Sequence, residues 1–284
     1  MRSEGQKRRI VVGDIHGELD GFREILWNAG LVDRKDAWSG GDAVLIQTGD
    51  VIDRGPWSRE SVEYLRRVQK EAVAAEGRVV RLCGNHALMV LQKNFYYADF
   101  EDPEAFASEL KGEILQGKVQ AAYTDGERLY THAGLKSEIR KVLLAEMKLA
   151  GREFKPIEKD LLPLSDHINR IFRESIEKED FDHPIFRVGH DRGGRDRVGG
   201  IFWCDFASIS PSAEDAVIPQ IFGHTPARRG EVRTAHGLRL INVDAGMCWE
   251  YGGARVYIEI TPDGRLLQHS KVLSKWKTTE LRPQ

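Results

Sequence analysis

Five short polar clusters in this sequence carry side chains able to do chemistry. They are Gly13-Asp14-Ile15-His16-Gly17, Gly49-Asp50-Val51-Ile52-Asp53-Arg54-Gly55, Gly84-Asn85-His86, Thr131-His132-Ala133-Gly134 and Gly223-His224-Thr225-Pro226. Asp14 and His16 alternate across one residue, so at a strand end both point to one side. A carboxylate beside an imidazole makes a half-site for Mn, Fe or Zn. Asp50 offers two oxygens and can bridge a pair of cations, with Asn85, His132 and His224 completing the second site and room left for water. Two cations roughly 3.5–4 Å apart lower the pKa of a bridging water and clamp phosphoryl oxygens during in-line attack. The Arg54 guanidinium can take two phosphate oxygens at once. His86, next to Asn85, is a candidate general acid for a leaving alkoxide, and the Asp53 carboxylate can orient it and raise its pKa. The inventory points to phosphoester hydrolysis by two metals, with a bridging hydroxide attacking phosphorus directly.

Each cluster taken alone has an ordinary structural explanation. Asp-Ile-His before a helix can be an N-cap, Asn85 a turn residue, and His132 or His224 a satisfied, half-buried histidine. Five such clusters, each ending a strand with glycine beside it, are hard to obtain as turns, and metal binding is the better reading.

The elements that must position them follow from periodicity. Apolar runs at Arg9–Val12, Ala43–Gln47, Val79–Leu82, Arg128–Tyr130 and Pro219–Phe222 lead into the five clusters. Leu19, Phe22, Ile25 and Leu26 recur at helical spacing between the first two runs, as do Val62, Leu65 and Val68 between the next two. Strand, polar loop, helix, strand is the βαβ rhythm of an α/β sheet, which binds ligands at the carboxyl ends of its strands. The stretches at about 95–126 and 136–200 are read as insertions, largely helical and a candidate cap, with a glycine-rich, arginine-bearing loop from Asp182 to Gly200. Two more strands are expected near Leu238–Val243 and Arg255–Ile260, then a hairpin turn at Thr261–Gly264. The polar tail from Ser274 is expected to fray.

Composition narrows the class. The chain has 284 residues, of which 41% are hydrophobic, enough for one large α/β domain spanning 1–284. A formal net charge of −2 gives no electrostatic reason to expect nucleic acid or an anionic membrane as partner. Three well-separated cysteines (Cys83, Cys204, Cys248) form no C-x-x-C pair and read as reduced, mostly buried thiols. The first nine residues are polar and basic, without the apolar stretch of a signal peptide, and no run approaches membrane-spanning length. The expected location is the cytoplasm. Trp203 and Trp249 are read as core residues.

In combination these motifs resemble the PPP family of metallophosphatases over residues 9 to 250, most closely its bacterial, Shewanella-like branch. Supporting stretches are Ala29-Gly30-Leu31-Val32-Asp33, Trp38-Ser39-Gly40-Gly41-Asp42 and Gln47-Thr48-Gly49-Asp50. The resemblance implies a calcineurin-like metallophosphoesterase fold, a central β-sandwich flanked by helices. It implies one metal on Asp14, His16 and Asp50, and another on Asp50, Asn85, His132 and His224. Arg54 would bind phosphate, and the His86–Asp53 pair would serve the leaving group. It also implies a second phosphate arginine, for which Arg187 is the first candidate and Arg192 the next. Nucleases and phosphodiesterases of the wider superfamily end in Gly-His-x-His; here Pro226 stands where the second histidine would be. Ala87 departs from the family, which has Glu after Gly-Asn-His. The implied activity is a protein serine/threonine phosphatase acting on phosphoproteins or small phosphoesters. Gly-His-Thr-Pro also occurs in symmetrical diadenosine tetraphosphatases, which keeps dinucleotide hydrolysis as an alternative, and Ala87 alone favours a weakly catalytic phosphate-binding module.

Overall fold

The computed structural model describes residues 7–151, 160–227 and 230–283. The start of the basic N-terminal stretch and residues 152–159 of the second expected insertion lie outside them. Strand β1 (Arg9–Val12), helix α1 (Leu19–Asn28), strand β2 (Val44–Gln47), helix α2 (Ser58–Ala74) and strand β3 (Arg78–Leu82) make two successive βαβ units. β1 and β2 are buried along their whole length, as strands covered on both faces are. They pair in parallel, with Val11 beside Ile46 and Ile46 beside Val80. The helices bury the predicted stripes: Leu19, Phe22, Ile25 and Leu26 on α1, and Val62, Leu65 and Val68 on α2.

Helix α3 (Asn85–Leu91) begins directly at the third cluster, so Asn85 and His86 occupy its first turn. Helix α4 (Pro103–Leu115) starts where the Asp102 side chain accepts the Ala105 N–H, with proline at the first helical position. Strands β4 (Val119–Gln120) and β5 (Ala122–Thr124) follow. The first expected insertion is therefore not purely helical: its end supplies a strand to each sheet, too short to show a period. Strand β6 (Leu129–Thr131) then leads to helices α5 (Ser137–Leu149) and α6 (Leu162–Lys178) of the second insertion and to the short helix α7 (Phe206–Ile209). Strands β7 (Gln220–Phe222), β8 (Arg233–Ala235), β9 (Leu240–Asn242), β10 (Val256–Ile260), β11 (Leu266–Val272) and β12 (Lys275–Glu280) complete the chain.

Two sheets result, ordered β12-β11-β10-β1-β2-β3-β4 and β5-β6-β7-β9-β8. They pack face to face through Val11, Ile46, Val80, Tyr130, Ile221, Ile241 and Ile258, a β-sandwich with helices outside, as the resemblance implies. Helices α4, α5 and α6 bury a separate apolar cluster with Leu88 of α3. The tail does not fray. Residues 275–280 pair antiparallel with β11, and the Trp276 ring lies 5.7 Å from Tyr257. An exposed edge strand built largely from Lys and Thr reads as polar tail because only one residue in it packs. All three cysteines are free and buried. No helix among the described residues is long and apolar enough to cross a membrane.

Candidate active site

The carboxyl ends of β1, β2 and β3 in one sheet and of β6 and β7 in the other meet at one point. The first two loops are stitched together: Ile15 and His16 N–H both donate to Asp50 O at 2.9 Å. Five residues here hold left-handed backbone without being glycine: His16, Asp50, Asp53, Arg54 and His224. Such conformations persist only where the surroundings over-determine them, and they gather at functional sites. Two glycines make the close approach possible. A Cβ on Gly84 would stand 2.0 Å from Asp50 Oδ1, and one on Gly223 would stand 2.2 Å from Asp14 Oδ1.

The metal-binding candidates converge as acceptors. His16 Nδ1–H donates to Ile52 O at 3.0 Å and His132 Nδ1–H donates to Thr48 O at 2.9 Å. Each backbone carbonyl fixes the tautomer that leaves Nε2 as a lone pair, the arrangement found behind metal-bound histidines. His132 Nε2 then faces Asn85 Oδ1 at 2.8 Å, His224 Nδ1 at 3.2 Å and Asp50 Oδ2 at 3.4 Å. His16 Nε2 lies 3.8 Å from Asp50 Oδ2 and 4.0 Å from Asp14 Oδ2. His132 Nε2, Asn85 Oδ1 and Asp50 Oδ2 are thus buried acceptors facing one another, and His224 Nε2 is buried without a partner, which calls for a cation among them. The donor set of carboxylate, amide oxygen and imidazole fits two borderline cations sharing Asp50.

Protonation follows the same geometry. Burial lowers His16 to about 4, and burial with His132 and Arg192 holds His224 well below its ordinary value, so both are neutral at pH 7. Burial, then the neighbouring Asp244 and Asp50 charges, push Asp14 up. Burial alone would do the same to Asp50, but His132, His86 and His16, when they carry a proton, outweigh it and hold this carboxylate well below its usual range. Asp14 also accepts the His224 N–H.

A cavity of about 160 Å³ opens on this centre. Arg54 enters it between the rings of Tyr97 (5.5 Å) and Tyr251 (5.3 Å), with Glu250 at 3.4 Å. Arg192 lines it too, held by Asp205 at 2.8 Å. The Nε atoms of both arginines are buried without a hydrogen-bond partner, so donors suited to an anion stand beside acceptors suited to cations. His86 Nδ1–H donates to Asp53 Oδ2 at 2.6 Å. Burial works against a charged His86, but Asp50 and Asp53 outweigh it and its pKa rises. A ring nitrogen of His86 lies within 4.8 Å of donor atoms of His16 and Asp50, near enough to reach an oxygen held there.

The structure thus brings together Asp14, His16, Asp50, Asp53, Arg54, Asn85, His86, His132, Arg192 and His224. Arg187, the first candidate for the second arginine, is not among the cavity's lining residues. The Gly189–Asp196 bridge folds the loop back, and Arg187 Nε lies 3.6 Å from Asp196, half exposed. Trp203 packs against the core as expected but also lines the cavity, its ring 6.0 Å from His224. Trp249 departs from expectation: it is 68% exposed on the turn that carries Glu250 and Tyr251. Sequence reasoning missed Asp244. It is buried against Gly13, and burial raises its pKa to about 6. The rule that found the other carboxylates would have found it, because Asp244-Ala245-Gly246 follows the apolar end of β9. Tyr97 and Tyr251 carried no such signal.

The calcineurin-like phosphoesterase family model matches residues 7–228. An uncharacterised protein of Schizosaccharomyces pombe is 29% identical over 88% of this chain and 76% of its own length. Shewanella-like protein phosphatase 2 of Arabidopsis thaliana is 36% identical over 37% of this chain; the match spans only 27% of that relative's length. Among solved structures, the cold-active protein-tyrosine phosphatase of a psychrophilic Shewanella species superposes with a TM-score of 0.68 at 18% identity, covering 98% of this chain and 85% of that one. At that identity the likeness is one of fold.

Proposed function

This chain belongs to the calcineurin-like phosphoesterase family, and we propose that it is a two-metal phosphomonoesterase acting on phosphoserine or phosphothreonine in proteins. The observation that carries the proposal is the facing of acceptors around Asp50 beside the unpartnered donors of Arg54 and Arg192. Asp14, His16 and Asp50 would hold one cation, and Asp50, Asn85, His132 and His224 the other, with Mn the first choice and Fe or Zn alternatives. When bound, the cations supply Lewis acidity for activating water and neutralising phosphoryl charge.

The chain's own residues do the rest. Arg54, its guanidinium over the rings of Tyr97 and Tyr251, exchanges Glu250 for phosphate oxygens, and Arg192 supplies a second guanidinium in the same cavity. His86, its Nδ1–H fixed on Asp53, delivers the proton on its other nitrogen to the leaving oxygen. An acid so placed suits an alkoxide leaving group, which favours serine and threonine over tyrosine as the phosphate carrier. Three buried, unpaired thiols support a reducing compartment, the cytoplasm.

The test is a panel assayed with added Mn: phosphopeptides bearing Ser, Thr or Tyr phosphate, p-nitrophenyl phosphate and diadenosine tetraphosphate. Preferential release from the Ser and Thr peptides supports the proposal. Preferential symmetrical cleavage of the dinucleotide would replace it with the nucleotidase reading, and peptide binding without phosphate release would replace it with the regulatory one.

A further inference from the structure

The segment between α3 and α4 meets the site twice. Tyr97 walls the cavity, its ring 5.4 Å from His86. Asp99, two residues on and exposed, reaches inward to a buried hydroxyl: Ser58 Oγ–H donates to Asp99 Oδ2 at 2.9 Å. The same Ser58 oxygen accepts the Asp53 N–H at 2.8 Å. Asp53 then closes the chain on His86 at 2.6 Å.

Two facts make this connection more than a surface contact. Asp53 and Arg54 have φ of 69° and 76°, a turn that non-glycine residues keep only under restraint. Asp53 Oδ1, in turn, is buried and has no partner. The carboxylate's orientation therefore depends on its bond to His86 and on how firmly its own backbone is held. Ser58 has one proton and uses it on Asp99, which fixes the lone pair presented to the Asp53 N–H.

We infer that Asp99 is a positioning residue for the leaving-group acid: by fixing the Ser58 hydroxyl it holds the Asp53 turn and keeps the carboxylate aimed at His86. The segment that walls the substrate cavity thereby also sets the acid. This rests on His86 serving as the acid in the function proposed above.

The experiment compares Asp99→Ala, Asp99→Asn, Ser58→Ala and the Ser58→Ala/Asp99→Ala double variant, as full chains with Mn, on a phosphoserine peptide and on p-nitrophenyl phosphate. Asp99→Ala and Ser58→Ala should each lower kcat on the peptide about tenfold with KM nearly unchanged, and lower it much less on the aryl ester, whose leaving group needs no proton. The double variant should be no worse than Ser58→Ala, because the two residues act as one unit. Asp99→Asn, whose amide oxygen still accepts the hydroxyl, should stay near wild type. Hydrogen exchange on the metal-free protein gives a readout apart from activity: the Asp53 amide should exchange faster in both alanine variants. Equal losses on the two substrates, additive effects in the double variant, or an unchanged Asp53 amide would each overturn the inference. A wild-type chain that hydrolyses neither substrate would overturn the proposed function and this inference with it. Wild-type turnover of both with an unshifted peptide-to-aryl ratio in Asp99→Ala would overturn the positioning role alone.

Discussion

Around Asp50 acceptors face acceptors, whereas along the seam between α2 and α4 every charge faces its opposite. There Arg59 pairs with Glu109 at 2.9 Å, Arg66 with both Glu109 and Glu113 at 3.0 Å, and Arg81 of β3 with Glu113 at 2.8 Å. Burial does not distinguish the two regions, because Arg81 and Asp50 are both buried. Saturation does. Burial would raise Glu113, but Arg81 and Arg66 outweigh it and the carboxylate is lowered. The seam is electrostatically closed and ties the first insertion to the sheet. The centre is open: although His86 bonds Asp53 and backbone N–H groups bond Asp50 and Asp14, His132 Nε2, Asn85 Oδ1 and Asp50 Oδ2 face one another as acceptors. A buried polar cluster that satisfies itself is structure; one that does not is a place for something to arrive.

Substitutions on the two sides should separate cleanly. The largest effect is expected at the centre: Asp50→Asn and His224→Ala should each lose at least about 10³-fold in p-nitrophenyl phosphate turnover with excess Mn. Turnover near wild type in either variant would mean that the centre does not work as an open site. Glu113→Gln is the converse. Leaving Arg81 buried without its partner should cost about 3 kcal/mol in denaturant unfolding, while kcat of the folded protein stays unchanged. A large loss of kcat at unaltered stability would break the separation from the other side.

Within the centre, His86→Asn should lower phosphoserine peptide turnover about 100-fold and aryl ester turnover far less. The pH profile carries the sign. Because the pKa of His86 is raised, its proton is fully present below the ordinary value near 6.5 and is lost only as pH climbs through the raised value. Peptide turnover should therefore hold past pH 6.5 before its basic limb falls. A limb at or below pH 6.5 would contradict the Asp50 and Asp53 influence.

The smallest effect lies on the sheet far from the site. Glu259, with His269 Nε2 at 3.1 Å and Arg8 bonded to it at 2.6 Å, is lowered to about 2. Its stabilisation is present above about 4.5 and is lost as pH falls toward 2. Glu259→Gln should thus be less stable than wild type by about 1.5 kcal/mol at pH 6, with the difference shrinking below pH 4.5 in urea unfolding. A constant difference across that range would mean the carboxylate's charge is not what matters.

Much of the centre was legible in sequence because its chemistry is local to strand ends. An apolar run, a glycine and a polar residue lie side by side in the chain, and the α/β layout brings such ends together. Asp244 obeys that rule and was legible in principle. Tyr97, Asp99 and Tyr251 were not, since nothing near them in sequence says that their segments fold over His86 and Arg54. Arg187 and Arg192 could not be ranked either: their choice turns on one backbone bridge at Gly189–Asp196 within an irregular loop. The fold was lost only where strands are very short, as in β4 and β5, or exposed at an edge, as in β12.

The most direct test of the open centre is calorimetric titration of Mn into the chelator-stripped protein, with phosphatase activity followed at each point. Two equivalents per chain are expected, activity appearing as they bind, and Asp50→Asn should lose at least one of them together with turnover. Wild-type protein that binds no Mn, or Asp50→Asn that binds the full complement and hydrolyses p-nitrophenyl phosphate normally, would contradict it.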